Sequence, residues 1–369
     1  MEIIIVNATA ARSSGALSIL NQFIDNIPPS NATRYYLFVD KSFKEEKKDN
    51  IMYIPINTIK WIKRIWWDEY ALKKWCKQNG IIPALIISLQ NTGVKFDRNV
   101  PQLIYYHQPL PLAAYSWNVF RKKEFILYLY KYFYSFFVKR HLRENTSIVV
   151  QIPSVKRAFL RKFRIFEHKI HVIPPKIENI DFTAIQNIDF QDEKIHLLYP
   201  ATPFVYKNHI VLFKALHHLM LNEKEVFSKI CLHLTLNSYD NVKEYALVKS
   251  MGIDSAVIFE GSMPFDRLLR YYKSVDALLF PSFIESFGLP LLEAAGSGIP
   301  IVAADLPYAH DVVGDYIGTS FVNYKDPVAW ALSIKKICIE KVRYSPFYYS
   351  SKKGGWNDFF MLVNQLKNS

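Results

Sequence analysis

Cysteine is scarce in this chain: there are three thiols in 369 residues, Cys76, Cys231 and Cys338, far apart and without a C-x-x-C pair. That odd, scattered set argues against a disulfide framework and offers no zinc-binding spacing, and it fits a reducing cytoplasm. Long apolar runs are missing too. No stretch reaches the roughly 18 uninterrupted apolar residues of a membrane span, and the chain opens on an apolar strand (Ile3-Ile4-Ile5-Val6) rather than on a charged leader, so neither a transmembrane helix nor a signal peptide is expected. Glycine is half as common as the usual 7% or so. Seven of the twelve glycines nevertheless fall at positions 252, 261, 288, 296, 298, 314 and 318, which marks that region as one where backbone turns sharply or approaches a ligand. Acidic residues are short in the first half. Residues 1–175 carry 27 Lys and Arg against 12 Asp and Glu, whereas residues 176–369 carry 19 against 21. The whole net charge of +13 is therefore N-terminal. Such asymmetry points to nucleic acid, an anionic membrane surface or a phosphate-rich substrate.

What is present has a clear organising stretch, Ala277 to Asp305. An apolar strand (Ala277–Phe280), a loop (Pro281-Ser282-Phe283-Ile284-Glu285-Ser286-Phe287-Gly288), a helix from Leu289 and a second strand (Ile299–Ala303) form one βαβ unit of a buried parallel sheet. Pro290 suits a first helical turn, so the helix opens just after Gly288. Its free N–H groups, from Phe287 to Leu289, make a diphosphate site beyond the strand's carboxyl end. Glu285 and Glu293 frame that helix start. Both can face one crevice and accept hydrogen bonds from sugar or ribose hydroxyls. Equally, Glu293 can simply complement the helix dipole while Glu285 sits in solvent.

The run PSFIESFGLPLLEAAGSGIPIVAADLP resembles the donor-binding signature of family 4 glycosyltransferases, and in particular those that build bacterial O-antigen and capsule. The resemblance implies an α/β chain of the GT-B fold, two Rossmann-like doubly wound domains facing a cleft, with retention of anomeric configuration. The length of 369 residues suits two domains. They are expected at 1–175 for the acceptor and 176–345 for the nucleotide-sugar, with 346–369 as a terminal helix crossing back to the first domain. The prolines of Val172-Ile173-Pro174-Pro175 read as the hinge between them.

Further residues take their meaning from that resemblance. After the first strand comes Ser14-Gly15, where the family usually has a glycine pair near the donor phosphates; Gly15 is placed there. His107 ends a strand (Leu103-Ile104-Tyr105-Tyr106), a position that a capping histidine fills as readily as a catalytic one, and the family commonly has a histidine there beside the donor sugar. Lys207, before a helix at Ile210, matches the family's phosphate-binding lysine, but the arginine expected five residues earlier is Thr202. Gly261-Ser262-Met263 falls where the family holds the nucleotide base. The resemblance thus implies Glu285, His107 and Lys207 as the catalytic group, and Gly15, Gly261, Ser262, Met263, Ser286, Phe287, Gly288, Leu289 and Glu293 as donor-binding. No metal and no cofactor is expected, because no D-x-D pair follows a strand; the nucleotide-sugar is a substrate.

Two aromatic and basic segments complete the first half. Trp61, Trp66 and Trp67 interleave with Lys63 and Arg64, and Phe120–Arg143 sets seven basic residues against Glu124. The second segment reads either as an amphipathic helix lying at a membrane surface or as a core helix with solvated ends. The partners expected are a nucleotide-sugar donor, a lipid-linked glycan acceptor and an anionic membrane surface. No nucleic acid is expected, since no recognised nucleic-acid module appears and the acidic pair would repel a phosphate backbone. The function so implied is glycosyl transfer to a lipid-linked or growing surface glycan, in O-antigen, lipopolysaccharide or capsule biosynthesis, by a cytoplasmic protein peripheral to the inner face of the membrane. A nucleotide-sugar epimerase of the same fold and a silent glycan-binding scaffold are the alternatives.

Overall fold

The computed structural model describes residues 1–12, 14–45, 47–58, 60–177, 179–349 and 355–368, without the side chains of Ser14, Lys122 and Lys123. It divides into two compact units, Met1–Ile177 with Ser351–Ser369, and Glu178–Ser350. Residues 344 and 347 donate to the carbonyls of Gly298 and Ala295. The second unit therefore runs past the expected boundary at residue 345.

The first unit is built on seven parallel strands, β1 (Glu2–Asn7), β2 (Thr33–Asp40), β3 (Ile51–Ile56), β4 (Leu85–Ser88), β5 (Gln102–Tyr106), β6 (Thr146–Val150) and β7 (Ile170–Val172), in the order β3-β2-β1-β4-β5-β6-β7. Strands β4, β5 and β6 are buried at every position, as near-continuous apolar runs covered on both faces should be. One face is closed by the helix Trp356–Lys367, whose Trp356, Phe359, Phe360 and Val363 recur at helical spacing and are all buried. Trp356 stacks on Tyr105 at 5.7 Å and meets Phe23 edge-on at 5.8 Å. Each such aromatic contributes on the order of 2–3 kcal/mol by leaving water. The other face packs Trp67, Leu72 and Cys76 against Phe38 and Ile86.

The second unit has six parallel strands, β8 (Ile195–Tyr199), β9 (Ile230–Leu234), β10 (Val257–Phe259), β11 (Ala277–Phe280), β12 (Ile301–Ala304) and β13 (Thr319–Val322), in the order β10-β9-β8-β11-β12-β13. Numbered within the unit this is 3-2-1-4-5-6, the dinucleotide-binding order. It reverses direction between β8 and β11. The first sheet reverses likewise between β1 and β4. Ligands in such sheets bind beyond the strands' carboxyl ends at the reversal, so in each unit the loops after these two strands are the ones to inspect.

Candidate functional site

In the second unit the two loops at the reversal are tied together. The loop after β8 carries Tyr206, Lys207 and Asn208; the loop after β11 carries Ser282 to Gly288. The Phe283 N–H donates to the Tyr206 carbonyl at 2.9 Å, and the Asn208 amide donates to the carbonyls of Pro281 and Tyr324 at 3.3 and 2.8 Å. Asn208 is left-handed (φ 59°), a conformation that asparagine tolerates better than most residues. This clamp sets Lys207 Nζ 2.5 Å from Glu285 Oε1, with both side chains largely buried. Thr202, where the second phosphate cation was expected, is exposed.

Helix Leu289–Ser297 starts directly beyond. Gly288 has φ 97°, and a Cβ there would lie 3.3 Å from Leu291 Cδ1, so a side chain would be strained twice over. The turn leaves the N–H groups of Phe287, Gly288 and Leu289 without a hydrogen-bonded partner among the described residues. They are free to meet an anion at the positive end of the helix. Phe287 is buried and Leu289 is 43% exposed. Gly261 also has positive φ (77°), with open space where a Cβ would stand, and begins the Gly261-Ser262-Met263 loop after β10. Glu293 has other company: it is half-buried beside the Tyr272 hydroxyl, and loss of water around it raises its pKa. Glu285 and Glu293 thus keep different neighbours. Gly15 lies in the first turn of helix Ser14–Asp25 without positive φ, and nothing stands within 4 Å of where its Cβ would be. Its own backbone does not demand glycine.

The first unit's reversal point holds a polar network that has no signature in the sequence. The helix from Trp61 passes through a single π turn at Trp67–Ala71, and that turn aims Asp68 at the ends of β1 and β4. Asp68 Oδ1 accepts from Asn7 Nδ2 and Gln90 Nε2, both at 2.8 Å. Burial pushes the Asp68 carboxyl up to about 7, against the opposing pull of Arg64 and the two amides. The Tyr134 hydroxyl donates to the Gln90 carbonyl at 2.9 Å. His107, just past β5, donates its backbone N–H to Asn91 Oδ1 at 2.6 Å. Burial, helped by Arg64, lowers the His107 imidazole to about 4, so it is neutral at pH 7. Its Nδ1 is buried with no partner among the described residues.

Beside this network is a cavity of about 580 Å³ between the Trp61 helix and helix Lys122–Arg140, lined by Trp61, Ile126, Leu129, Phe133 and Phe137 with Arg64 and Asp68 also in its wall. The helix Lys122–Arg140 is turned contrary to a core helix. Lys131 is buried and donates to the Tyr115 carbonyl at 2.9 Å, whereas Ile126, Leu129, Phe133 and Phe136 are 47–60% exposed. Among the described residues no helix is long and apolar enough to cross a membrane.

Residues 181–353 match the family described as glycosyl transferases group 1. The O-antigen chain mannosyltransferase RfbU of Salmonella typhimurium is 24% identical over 211 residues, which cover 57% of this chain and 56% of that one. The chain therefore matches little more than half the length of this relative. Sucrose-phosphate synthase from Thermosynechococcus elongatus superposes with a TM-score of 0.67 at 16% identity, covering 100% of this chain and 98% of that one. HepE from Anabaena, solved with UDP and glucose, gives 0.59 at 14% identity over 92% of this chain and 90% of that one. At these identities the structures speak for the fold, which is that of the GT-B glycosyltransferases. Over residues 181–353, just under half of its length, the chain is similar to the glycosyl transferases of group 1.

Proposed function

We propose that this protein is a retaining, metal-independent family 4 glycosyltransferase that moves a sugar from a nucleotide-sugar to a lipid-linked or growing surface glycan. The observation that carries the reading is the Lys207–Glu285 pair at 2.5 Å, set at the sheet's reversal point beside the N-terminus of helix Leu289–Ser297. When the glycosidic bond to the nucleotide breaks, negative charge grows on the departing diphosphate, and stabilising that charge is the main catalytic demand. Lys207 uses one of its three N–H donors on Glu285 and keeps two for phosphate oxygens. The N–H groups of Phe287 to Leu289, with Ser286 next to them, add fixed dipoles. Glu285 takes donor-sugar hydroxyls, Glu293 the ribose, and Gly261-Ser262-Met263 the base. Neutral His107 is the first unit's sugar-contacting group, and Gly15 lies on the donor-phosphate loop. The GT-B fold and the group 1 match support glycosyl transfer as such. The O-antigen activity named for RfbU supports a surface-glycan acceptor. The basic first half and the outward apolar face of helix Lys122–Arg140 support work at the inner, anionic face of a cytoplasmic membrane.

The test is turnover of purified protein with UDP-, GDP- and dTDP-sugars, with and without a lipid extract containing lipid-linked glycans, the product's anomeric configuration being read by NMR. Transfer that requires the lipid acceptor, proceeds with retention and survives EDTA is expected. Sugar isomerisation without any acceptor would make the protein an epimerase. If no sugar nucleotide is turned over or raises the melting temperature, the reading fails.

A further inference from the structure

The flank of the second sheet holds a side-chain cluster that the proposed reaction does not use. His196 on β8 and Cys231 on β9 are register partners, and His233 follows Cys231 by two residues, so alternation puts all three on one face of the sheet. Their ligand atoms lie within 4.8 Å of one another, and all three residues are buried. His196 Nδ1 is 2.8 Å from His233 Nε2. The outer nitrogens of the two rings face carboxylates: His196 Nε2 is 2.7 Å from Asp192 Oδ1 and His233 Nδ1 is 2.8 Å from Glu260 Oε1. Phe190 covers His196 in parallel at 3.7 Å, and the Tyr271 ring lies 5.3 Å from that of His233.

Counting protons exposes a deficit. The row Asp192, His196, His233, Glu260 has three donor–acceptor gaps. Ionised carboxylates bring no proton and two neutral imidazoles bring one each. With the outer gaps filled, two nitrogen lone pairs face each other in the middle. A cation in that gap would bridge the two lone pairs. It is either a third proton or a metal ion, and the buried thiol of Cys231 on the same face favours the metal. A histidine whose other ring nitrogen is held by a carboxylate is the usual arrangement around a zinc ligand.

We propose that His196, Cys231 and His233 bind one Zn²⁺ ion that ties β8 to β9. With Zn–N lengths of about 2.0–2.1 Å in a tetrahedral site, the two nitrogens stand about 3.3 Å apart, so the rings open by roughly half an ångström. Three protein ligands leave a fourth position for water, while Asp192, whose side chain is 40% exposed, holds the outer nitrogen of His196. The ion lies apart from the Lys207–Glu285 pair and its role is structural. It also fixes Glu260, immediately before the Gly261 loop.

The experiment uses the full chain, purified from zinc-supplemented medium. One zinc per chain is expected by mass spectrometry. Replacement by Co²⁺ should give the visible d–d bands of a tetrahedral site with a thiolate-to-cobalt charge-transfer band. Cys231→Ser should abolish the charge-transfer band. Asp192→Asn, which alters no ligand, should weaken zinc affinity by about 10- to 100-fold, with circular dichroism confirming that each variant is folded. Substoichiometric zinc with no spectral change on adding Co²⁺ would overturn the proposal and leave the gap to a proton. Zinc binding that both variants leave unchanged would overturn it too, by putting the ion elsewhere.

Discussion

Lys207 and Glu285, 78 positions apart in sequence, meet at 2.5 Å with side-chain exposures of 17% and 12%. The pair has two separable duties. It neutralises a partly buried carboxylate, and in the proposed reaction it offers the lysine's remaining donors to the leaving phosphate. Lys207→Ala leaves Glu285 without its counter-charge and so costs stability. Adding Glu285→Gln removes that stranded charge, and the double variant should recover about 1–3 kcal/mol of the loss, read from urea midpoints. Turnover should not recover, because a charge-assisted contact at the departing group is worth on the order of 10²–10³ in rate. Should activity return along with stability, Lys207 is a structural partner only.

Asp68 predicts a pH dependence of stability. Its carboxyl is buried and raised from its ordinary 3.8 to about 7. The unfolded chain ionises this group first, so as pH rises from about 4 to about 7 the unfolded state releases a proton that the folded state keeps. Asp68 therefore contributes stability that is full below the ordinary value and is lost as pH climbs through about 7. Asp68→Asn retains an oxygen for both amide donors and does not titrate. Urea midpoints measured from pH 4 to 8 should fall for the wild type relative to this variant. Parallel curves would show that Asp68 is ionised throughout, held so by Arg64.

How much of this was legible in the sequence follows from range and burial. The strands β11 and β12 and the helix start at Gly288 were readable, because central strands carry apolar runs and a glycine before a proline marks a helix N-terminus. The edge strands β3, β7 and β13 were not. They are only partly buried, and β3 contains Pro55, which only an edge or bulge tolerates. The contacts that give the sites their chemistry lie even further out of reach. Asn7, Asp68 and Gln90 come together only through strand order, and the π turn that aims Asp68 leaves no periodicity. Cys231 is two residues from one histidine but 35 from its other neighbour, His196, so no cysteine spacing could flag it. Lys131 is a lone charge within the apolar run of helix Lys122–Arg140, and nothing in the sequence says that it points inward.

Membrane binding is tested best on the helix Lys122–Arg140, with the apolar face as the target. Arg140 is a poor choice among its cations, because it holds the buried Glu69 at 2.7 and 3.1 Å, and removing it would unbalance the interior. Ile126, Phe133 and Phe136 are 60%, 52% and 58% exposed, so serine at all three should leave the fold intact. Burying such side chains in the headgroup boundary contributes several kcal/mol in total. The triple variant should lose about 10²-fold in partition to anionic vesicles while its affinity for nucleotide-sugar holds, since Lys207, Glu285 and Glu293 belong to the other unit and neither Gly15 nor His107 is altered. Co-sedimentation with anionic and neutral vesicles reads both surfaces. Wild type that stays in solution with either vesicle, or a triple variant that binds as well as wild type, ends the membrane assignment.

Gly288 and Gly298 bracket the helix Leu289–Ser297, both left-handed, with φ 97° and 78°. Alanine at either should destabilise the protein, because a left-handed residue with a Cβ costs about 1–2 kcal/mol. Gly298→Ala should be the worse of the two, since its Cβ would stand 2.5 Å from the Tyr344 carbonyl oxygen, against 3.3 Å from a side-chain methyl at Gly288. For ligand binding the order should invert. Gly288 holds the turn that frees the N–H groups of Phe287 to Leu289, and an anion bound there feels any change in their aim. The far end of the helix has no such duty. Calorimetry with nucleoside diphosphates should therefore show Gly288→Ala losing about tenfold or more in affinity, and Gly298→Ala, though less stable, binding like wild type. If affinity instead follows melting temperature across the two variants, the helix N-terminus is not the phosphate site, and Lys207 must hold the diphosphate without it.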